Sequence, residues 1–204
     1  MKWLKRMFMR TGVLEAIKTR RSIRKYKTDP VDDKTIELVL EAARWAPSWH
    51  NEQCWRFIVV RDGNIKAELA NTLIKRKRDD TLVDNPSAGA IKGAPTVIVA
   101  CAELGISGYD EGESATDKGD WYMFEVALAM QNLVLAAHSL GLGTVHVGAF
   151  DAKKAANILQ VPEGFCVVLM TPLGYPDQEP NPRPRKELSE IVFYDKYSLK
   201  REVK

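Results

Sequence analysis

An α+β fold is the class this sequence predicts, and three observations predict it. Some segments repeat apolar residues at helical spacing, others are short β-branched runs between turn residues, and the two kinds follow one another without the regular alternation of a doubly wound sheet. The chain has 204 residues, 45% hydrophobic and 28% charged. That composition suits one globular domain over 1–204, with 1–11 an extension or the start of a helix, and excludes a disordered or fibrous chain.

The elements follow in order. Gly12 to Thr19 forms a short helix, and Asp32-Asp33 open a second whose Ile36, Val39, Leu40 and Ala43 share one face before Pro47. Arg56 to Val60 and Thr96 to Cys101 are buried strands, and Val145 to Val147 and Phe165 to Met170 are two more. Ile65, Leu69 and Leu73 give a helical pattern that closes on Lys75-Arg76-Lys77-Arg78, answered by Asp79-Asp80. This run is predicted as a solvated helix end, where cations are favoured. The polar, Gly-rich tract from Gly108 to Asp120 is predicted as a mobile loop.

Asp120 then caps a helix of about twenty residues that stops at Gly141 and Gly143. Its apolar residues, from Trp121 through Leu133 to Leu140, lie all round the axis. Such a helix must be buried on every side, and the rest of the chain offers few apolar helices to cover it. A second copy is the predicted cover, making a homodimer.

Lys and Arg number 30 against 27 Asp and Glu, a net charge of +3 that supports neither a nucleic-acid nor a membrane partner. The opening ten residues lack the apolar stretch and cleavage site of a signal peptide. Trp121 to Leu140 is interrupted by Glu125, Gln131, Asn132, His138 and Ser139, which makes a bilayer span costly. Cys54, Cys101 and Cys166 are odd in number and widely spaced, as reduced thiols are. A cytoplasmic protein is expected.

No metal-ligand spacing joins His50, His138 and His146, and His138 is expected as a satisfied core histidine. Gly141-Leu142-Gly143 follows a helix, so it is not a dinucleotide fingerprint. What does carry chemistry is Arg20-Arg21-Ser22-Ile23-Arg24-Lys25-Tyr26, four cations and a hydroxyl able to clamp a phosphate. A second basic set, Arg183-Pro184-Arg185-Lys186, lies in a proline-stiffened stretch. Between them, Pro47-Ser48-Trp49-His50-Asn51-Glu52-Gln53-Cys54 runs into a strand, with Asn51 and Gln53 amides suited to the edge of a heteroaromatic ring. Trp49 either stacks on a ring face or packs in the core beside Trp55.

From about Leu14 to Tyr197 the sequence resembles the nitroreductase family of FMN-dependent flavoproteins. Five pieces come in family order: RRSIRKY at 20–26, APSxxNxQxWRF at 46–57, AMQNLVLAAHSLGLGT at 129–144, HVGAFD at 146–151, and PLGYP with PRPRKEL at 172–188. The resemblance implies a mixed or antiparallel central sheet flanked by helices, an intertwined homodimer, and FMN at the subunit interface. It places Arg20, Ser22 and Arg185 at the FMN phosphate with Arg183 assisting, and Arg21 and Arg24 along the phosphate or the pyrimidine side. Pro47, Ser48, Asn51 and Gln53 match the loop against the ring, Val147, Gly148 and Ala149 the backbone beside it, and Trp49 an acceptor contact. Cys54 stands where the family commonly has Pro. The implied reaction is ping-pong, with hydride passing from NADH or NADPH through flavin N5 to an electron-poor acceptor such as a nitroaromatic or quinone. Related branches perform reductive dehalogenation or flavin fragmentation, and a flavin-holding or redox-sensing dimer without useful turnover is the non-enzymatic alternative.

Overall fold

A computed structural model describes residues 12–197; the expectations for 1–11 lie outside the described residues. The centre is a four-stranded antiparallel sheet built from β1 (Trp55–Val60), β4 (Thr96–Glu103), β8 (Phe165–Gly174) and β7 (Gly143–Thr144), in the order β1-β4-β8-β7. Of the eight residues of β4, Thr96 to Ala102 are buried and only Glu103 is partly exposed. Successive side chains point to opposite faces. Ile98, Ala100 and Ala102 meet one core, and Val97, Val99 and Cys101 meet a second.

The first core lies under α2 (Asp33–Arg44) and α5 (Tyr122–Ser139). Asp32 caps α2, one carboxylate oxygen accepting the Thr35 N–H at 2.9 Å and the other its hydroxyl at 2.8 Å. The helix then buries Ile36, Val39 and Ala43, the face its spacing predicts. The second core lies under α3 (Gly63–Asn71), α4 (Ser87–Gly93) and α6 (Ala152–Ile158), through Leu69, Ile91 and Ala155. Helices therefore cover both faces of the sheet. The short helices α1 (Val13–Thr19) and α7 (Leu188–Ile191) open and close the described chain.

Three expectations are corrected. The Lys75–Arg78 run does not end a helix: α3 stops at Asn71, where the Thr72 hydroxyl donates to Leu69 O at 2.7 Å. Residues 76–78 form β2, paired with β3 (Thr81–Val83) across a turn in which Asp79 and Asp80 take φ of 48° and 63°. Asp tolerates that left-handed conformation better than most residues. The basic side chains of Lys75 and Lys77 do face solvent, as expected.

The 108–120 tract is likewise built. It carries the hairpin β5 (Tyr109–Asp110) and β6 (Glu113–Ser114), closed by Ala115 N–H to Gly108 O at 2.9 Å. Asp120 accepts from Gly105 N at 2.7 Å, which ties the tract to the end of β4. Gly108, at φ 82°, sits where a Cβ would come 2.6 Å from the Trp121 ring. Finally, the strand expected at 145–147 falls at 143–144, and Val147 instead makes a lone two-bond bridge to Met170.

α5 has 18 residues, with Asp120 accepting the Tyr122 N–H at 3.1 Å although Trp121 holds the cap position. This chain covers one side of it, burying Val126, Ala129, Met130, Leu133, Val134 and Ala137. Met123 and Phe124 remain 56% and 60% exposed. Within one chain, the all-round apolar helix is only half covered. Among the described residues, no helix is long and apolar enough to cross a membrane.

Gly143 shows how tightly the strip following α5 is fitted, because a Cβ there would lie 2.8 Å from the Ile23 side chain. Overpacking of this kind costs about 1–3 kcal/mol. Gly143→Ala is expected to lower stability by that amount in urea unfolding, with the dependence on urea unchanged.

Candidate active site

The sheet edge builds the first half of the site. Beyond α1, the chain runs beside β7, with Ile23 N–H donating to Thr144 O at 2.8 Å and Ser22 bridging Thr144 in parallel. The Tyr26 hydroxyl donates to Ile23 O at 2.6 Å, which pins the far end of this segment. Residues 20–24 and 143–147, far apart in sequence, thus form one strip.

Arg20 is half-buried, with Nη2 3.4 Å from the Ser22 hydroxyl. Its pKa is held below the ordinary arginine value by burial first, then by the like charges of Arg185 and Arg21. Arg185, from the opposite end of the chain, is therefore near enough for its charge to be felt at Arg20. Arg21 is already engaged, its Nη1 donating to Lys18 O at 2.9 Å and Arg20 O at 2.8 Å, at the end of α1. Arg24, Arg183 and Arg185 are exposed. Among the described residues, no ion pair joins any of these five arginines to a carboxylate. A cavity of about 550 Å³ opens here, with Arg20, Arg21, His138, Thr144 and Asn181 on its wall. Clustered cations without acidic partners are a cradle for an anion, and a phosphate suits their fork geometry.

Val147 is buried and bridges Met170, whereas Gly148 and Ala149 are exposed, with Ala149 O accepting from Ile74 N at 3.0 Å. His138 has the partner expected of it, Thr19 Oγ1 at 2.8 Å from Nε2, but it stands half-buried at the rim of the arginine strip and not in the core. Burial, then Arg20 and Arg21, lower its pKa.

The loop forms the second half. Trp49–Asn51 is a 3₁₀ turn, and His50, Asn51 and Gln53 take φ of 44°, 62° and 52°. Ser48 holds this shape from within, its hydroxyl accepting the Gln53 N–H at 3.0 Å and its carbonyl the Asn51 N–H at 3.2 Å. Pro47 and Asn51 are exposed, and Gln53 is half-buried on the wall of an open cavity of about 570 Å³ shared with Leu40, Arg44 and Phe57. Trp49 stands outside the core cluster that contains Trp55. It stacks on His50 at 4.6 Å and meets Trp121 edge-on at 5.3 Å, while its Nε1–H donates to Tyr109 O at 3.0 Å.

Sequence reasoning passed over Glu125, seen there only as an interruption in an apolar segment. Its side chain is buried at the first turn of α5 and accepts the Trp49 backbone N–H at 2.5 Å. An acid on the buried face of an otherwise apolar helix was the available signal. The two halves of the site consequently lie at opposite ends of α5. The loop meets it at Glu125 and the arginine strip at His138, thirteen residues apart and so about 20 Å at 1.5 Å per residue.

The match to known proteins agrees with this geometry. Residues 17–175 fit the model of the nitroreductase family. The chain belongs to the nitroreductase family. A Methanothermobacter thermautotrophicus protein of the NADH dehydrogenase/NAD(P)H nitroreductase type is 34% identical over 177 residues, covering 84% of this chain and 81% of the relative. A 5,6-dimethylbenzimidazole synthase of Rhodospirillum rubrum is 29% identical over 188 residues, covering 87% and 88%. The solved FMN-dependent nitroreductase of Clostridium difficile superposes with a TM-score of 0.72 at 26% identity, covering 90% and 99%. Nitroreductase-family proteins work with FMN and NAD(P)H, and this member is an oxidoreductase.

The depressed His138 gives an acid-side prediction. A histidine whose folded pKa lies below its unfolded value leaves the folded state with fewer protons, so stability holds above about pH 6.5 and falls as pH drops below it. His138→Gln should flatten the fall in urea midpoint between pH 7.5 and 5.5; an unchanged slope would assign the acid sensitivity elsewhere.

Proposed function

We propose that this nitroreductase-family chain acts as a homodimeric NAD(P)H oxidoreductase in which Arg20, Ser22 and Arg185 hold the FMN phosphate. The observation that carries the reading is the half-buried Arg20 converging with Arg21 and Arg185 where no described carboxylate neutralises them. Arg183 assists from the same proline-rich stretch. Arg21, spent on the carbonyls at the end of α1, adds charge more than a direct bond. Arg24 lies toward the pyrimidine side, and the strip Val147-Gly148-Ala149 lines the ring. When bound, the flavin supplies the hydride chemistry, taking two electrons from NADH or NADPH and returning them to an electron-poor acceptor such as a nitroaromatic or quinone, in a ping-pong cycle.

The residues at the far end of α5 belong to the same pocket only through a second copy. The loop holding Pro47, Ser48, Asn51 and Gln53 meets α5 at Glu125, and the arginine strip meets it at His138, about 20 Å further along the helix. The uncovered side of α5, with Met123 and Phe124 exposed, supplies the apolar face on which a twofold partner packs. The partner's loop then closes over the ring held by this chain's arginines. The bulk acceptor site lies beside Trp49, whose ring is free of the core and faces the pocket mouth in this reading.

Three measurements decide the matter. The released cofactor should be FMN, the purified protein should sediment near twice 23.0 kDa, and anaerobic NADH or NADPH should bleach its flavin absorbance. Arg20→Ala is expected to weaken FMN retention by about 1.5–3 kcal/mol, the usual contribution of a charged hydrogen bond. Release of FAD, or a folded yellow monomer, would overturn the assignment. Aerobic loss of the flavin without acceptor turnover would instead favour the chemistry for which the Rhodospirillum rubrum relative is named.

Trp49→Ala should leave the protein yellow and dimeric while changing the relative kcat/KM for a large and a small acceptor several-fold, in line with the roughly 0.5–1.5 kcal/mol of aromatic stacking. Loss of stability with the acceptor ranking unchanged would return Trp49 to a packing role.

A further inference from the structure

We propose that Glu125 is a positioning residue: from the first turn of α5 it holds the backbone at Trp49 and so sets the loop 48–53 in the shape that meets the flavin. The inference rests on the flavin reading above.

The loop has no shape of its own to fall back on. Three of its non-glycine residues, His50, Asn51 and Gln53, are left-handed. Each such residue is held against its preference, so the surrounding contacts must determine the conformation. Ser48 ties the loop only to itself. The Trp49 side chain reaches Tyr109 O and the Trp121 ring, and the backbone at the start of the loop is tied to the helical layer by the Glu125 Oε1 bond to the Trp49 N–H at 2.5 Å. The same carboxyl lies near the far end of the loop, where, after burial, it helps to raise the Cys54 thiol.

Glu125 is a poor choice for the fold alone. It is 1% exposed on a helix face otherwise made of Val, Ala, Met and Leu, and its Oε2 has no hydrogen-bond partner among the described residues. Burying an incompletely paired carboxyl opposes folding, and an apolar side chain of similar volume would pack there at no such penalty. A group that the core does not need, bonded to the backbone of a loop that cannot hold itself, acts on the loop.

The test compares Glu125→Leu, Glu125→Asp and Glu125→Gln in the FMN-loaded dimer and after cofactor removal. Readouts are the FMN dissociation constant, hydrogen exchange of the 46–54 peptide, and the melting temperature of the cofactor-free protein. Leu removes the acceptor and Asp withdraws it by one methylene. Both should raise the FMN dissociation constant at least fivefold and speed exchange of the loop peptide, with the melting temperature of the Leu variant at or above wild type. Gln keeps an oxygen toward Trp49 and should restore both readouts to within about twofold of wild type. Wild-type FMN binding and loop exchange in either Leu or Asp would overturn the proposal, as would a lowered melting temperature with flavin binding unchanged. If the Leu variant does not fold, Asp and Gln carry the comparison. A wild-type protein that holds no flavin defeats the functional reading instead, while loop exchange still reports on Glu125.

Discussion

Everything in this molecule is arranged around the burial of α5. Its apolar residues lie all round the axis, and this chain covers one side of it. The sheet and α2 take the side carrying Val126, Met130 and Leu133. The same packing aims the ends of the helix: its first turn receives the Pro47–Gln53 loop, and its last turn receives α1 and the arginine strip. Because a helix is a rigid spacer, these two groups are held at a set separation that neither can shorten. In the proposed reading a pocket that needs both is completed by a second copy, and the uncovered face of α5 and the divided site would be two consequences of one constraint.

The strip itself depends on close backbone approach. Ser22 and Ile23 can lie against Thr144 only because position 143 has no side chain, and β8 can pass Pro95 only because position 174 has none, since a Cβ there would fall 2.6 Å from the proline ring. These glycines serve contact instead of turning. Placing arginines on such a strip sets the local electrostatics. Burial and mutual repulsion already depress Arg20, so a dianion bound there, as proposed, would relieve repulsion as well as make bonds. That is a stronger drive than the same arginines would give if scattered over open surface.

Much of this was legible in the sequence. The Asp32 cap, the buried run of β4, the span of α5 and its stop before Gly141 follow from local patterns, and the structure has them within a residue or two. The arginine clusters could be named from composition, but their meeting could not, because Arg20 and Arg185 are brought together only by the pairing of segments remote in sequence. The hairpin at 76–83 was missed for a different reason. Its turn is made by Asp79-Asp80 without glycine, and the preceding Ile65, Leu69 and Leu73 continue a helical pattern beyond the point where Thr72 ends the helix. The 108–120 tract looked mobile because order there comes from outside it: Trp121 fills against Gly108, and Asp120 bonds Gly105. Glu125 was visible as a letter but not as a contact, since nothing local says that a helix carboxyl will face the backbone of a loop 76 residues earlier.

The chain's own nucleophiles point the same way as the arginines. Burial above all raises the Cys54 thiol well beyond its ordinary range, with Glu125 adding to it; Cys101 is pushed up to about 11, and Cys166 is raised as well, again by burial. At neutral pH these sulfurs stay protonated, and the thiolate is the reactive form. Cys54 directly follows the loop, where the family commonly has proline, and there it contributes a fully buried free thiol. Proline would stiffen such a loop through its ring; here the Ser48 hydroxyl and the Glu125 carboxyl do so through hydrogen bonds. Hydride transfer asks the protein for position, a cation near the developing negative charge, and a dry apolar wall. In the proposed reading Arg24, the arginine strip and the aromatic group around Trp49 would supply those three requirements.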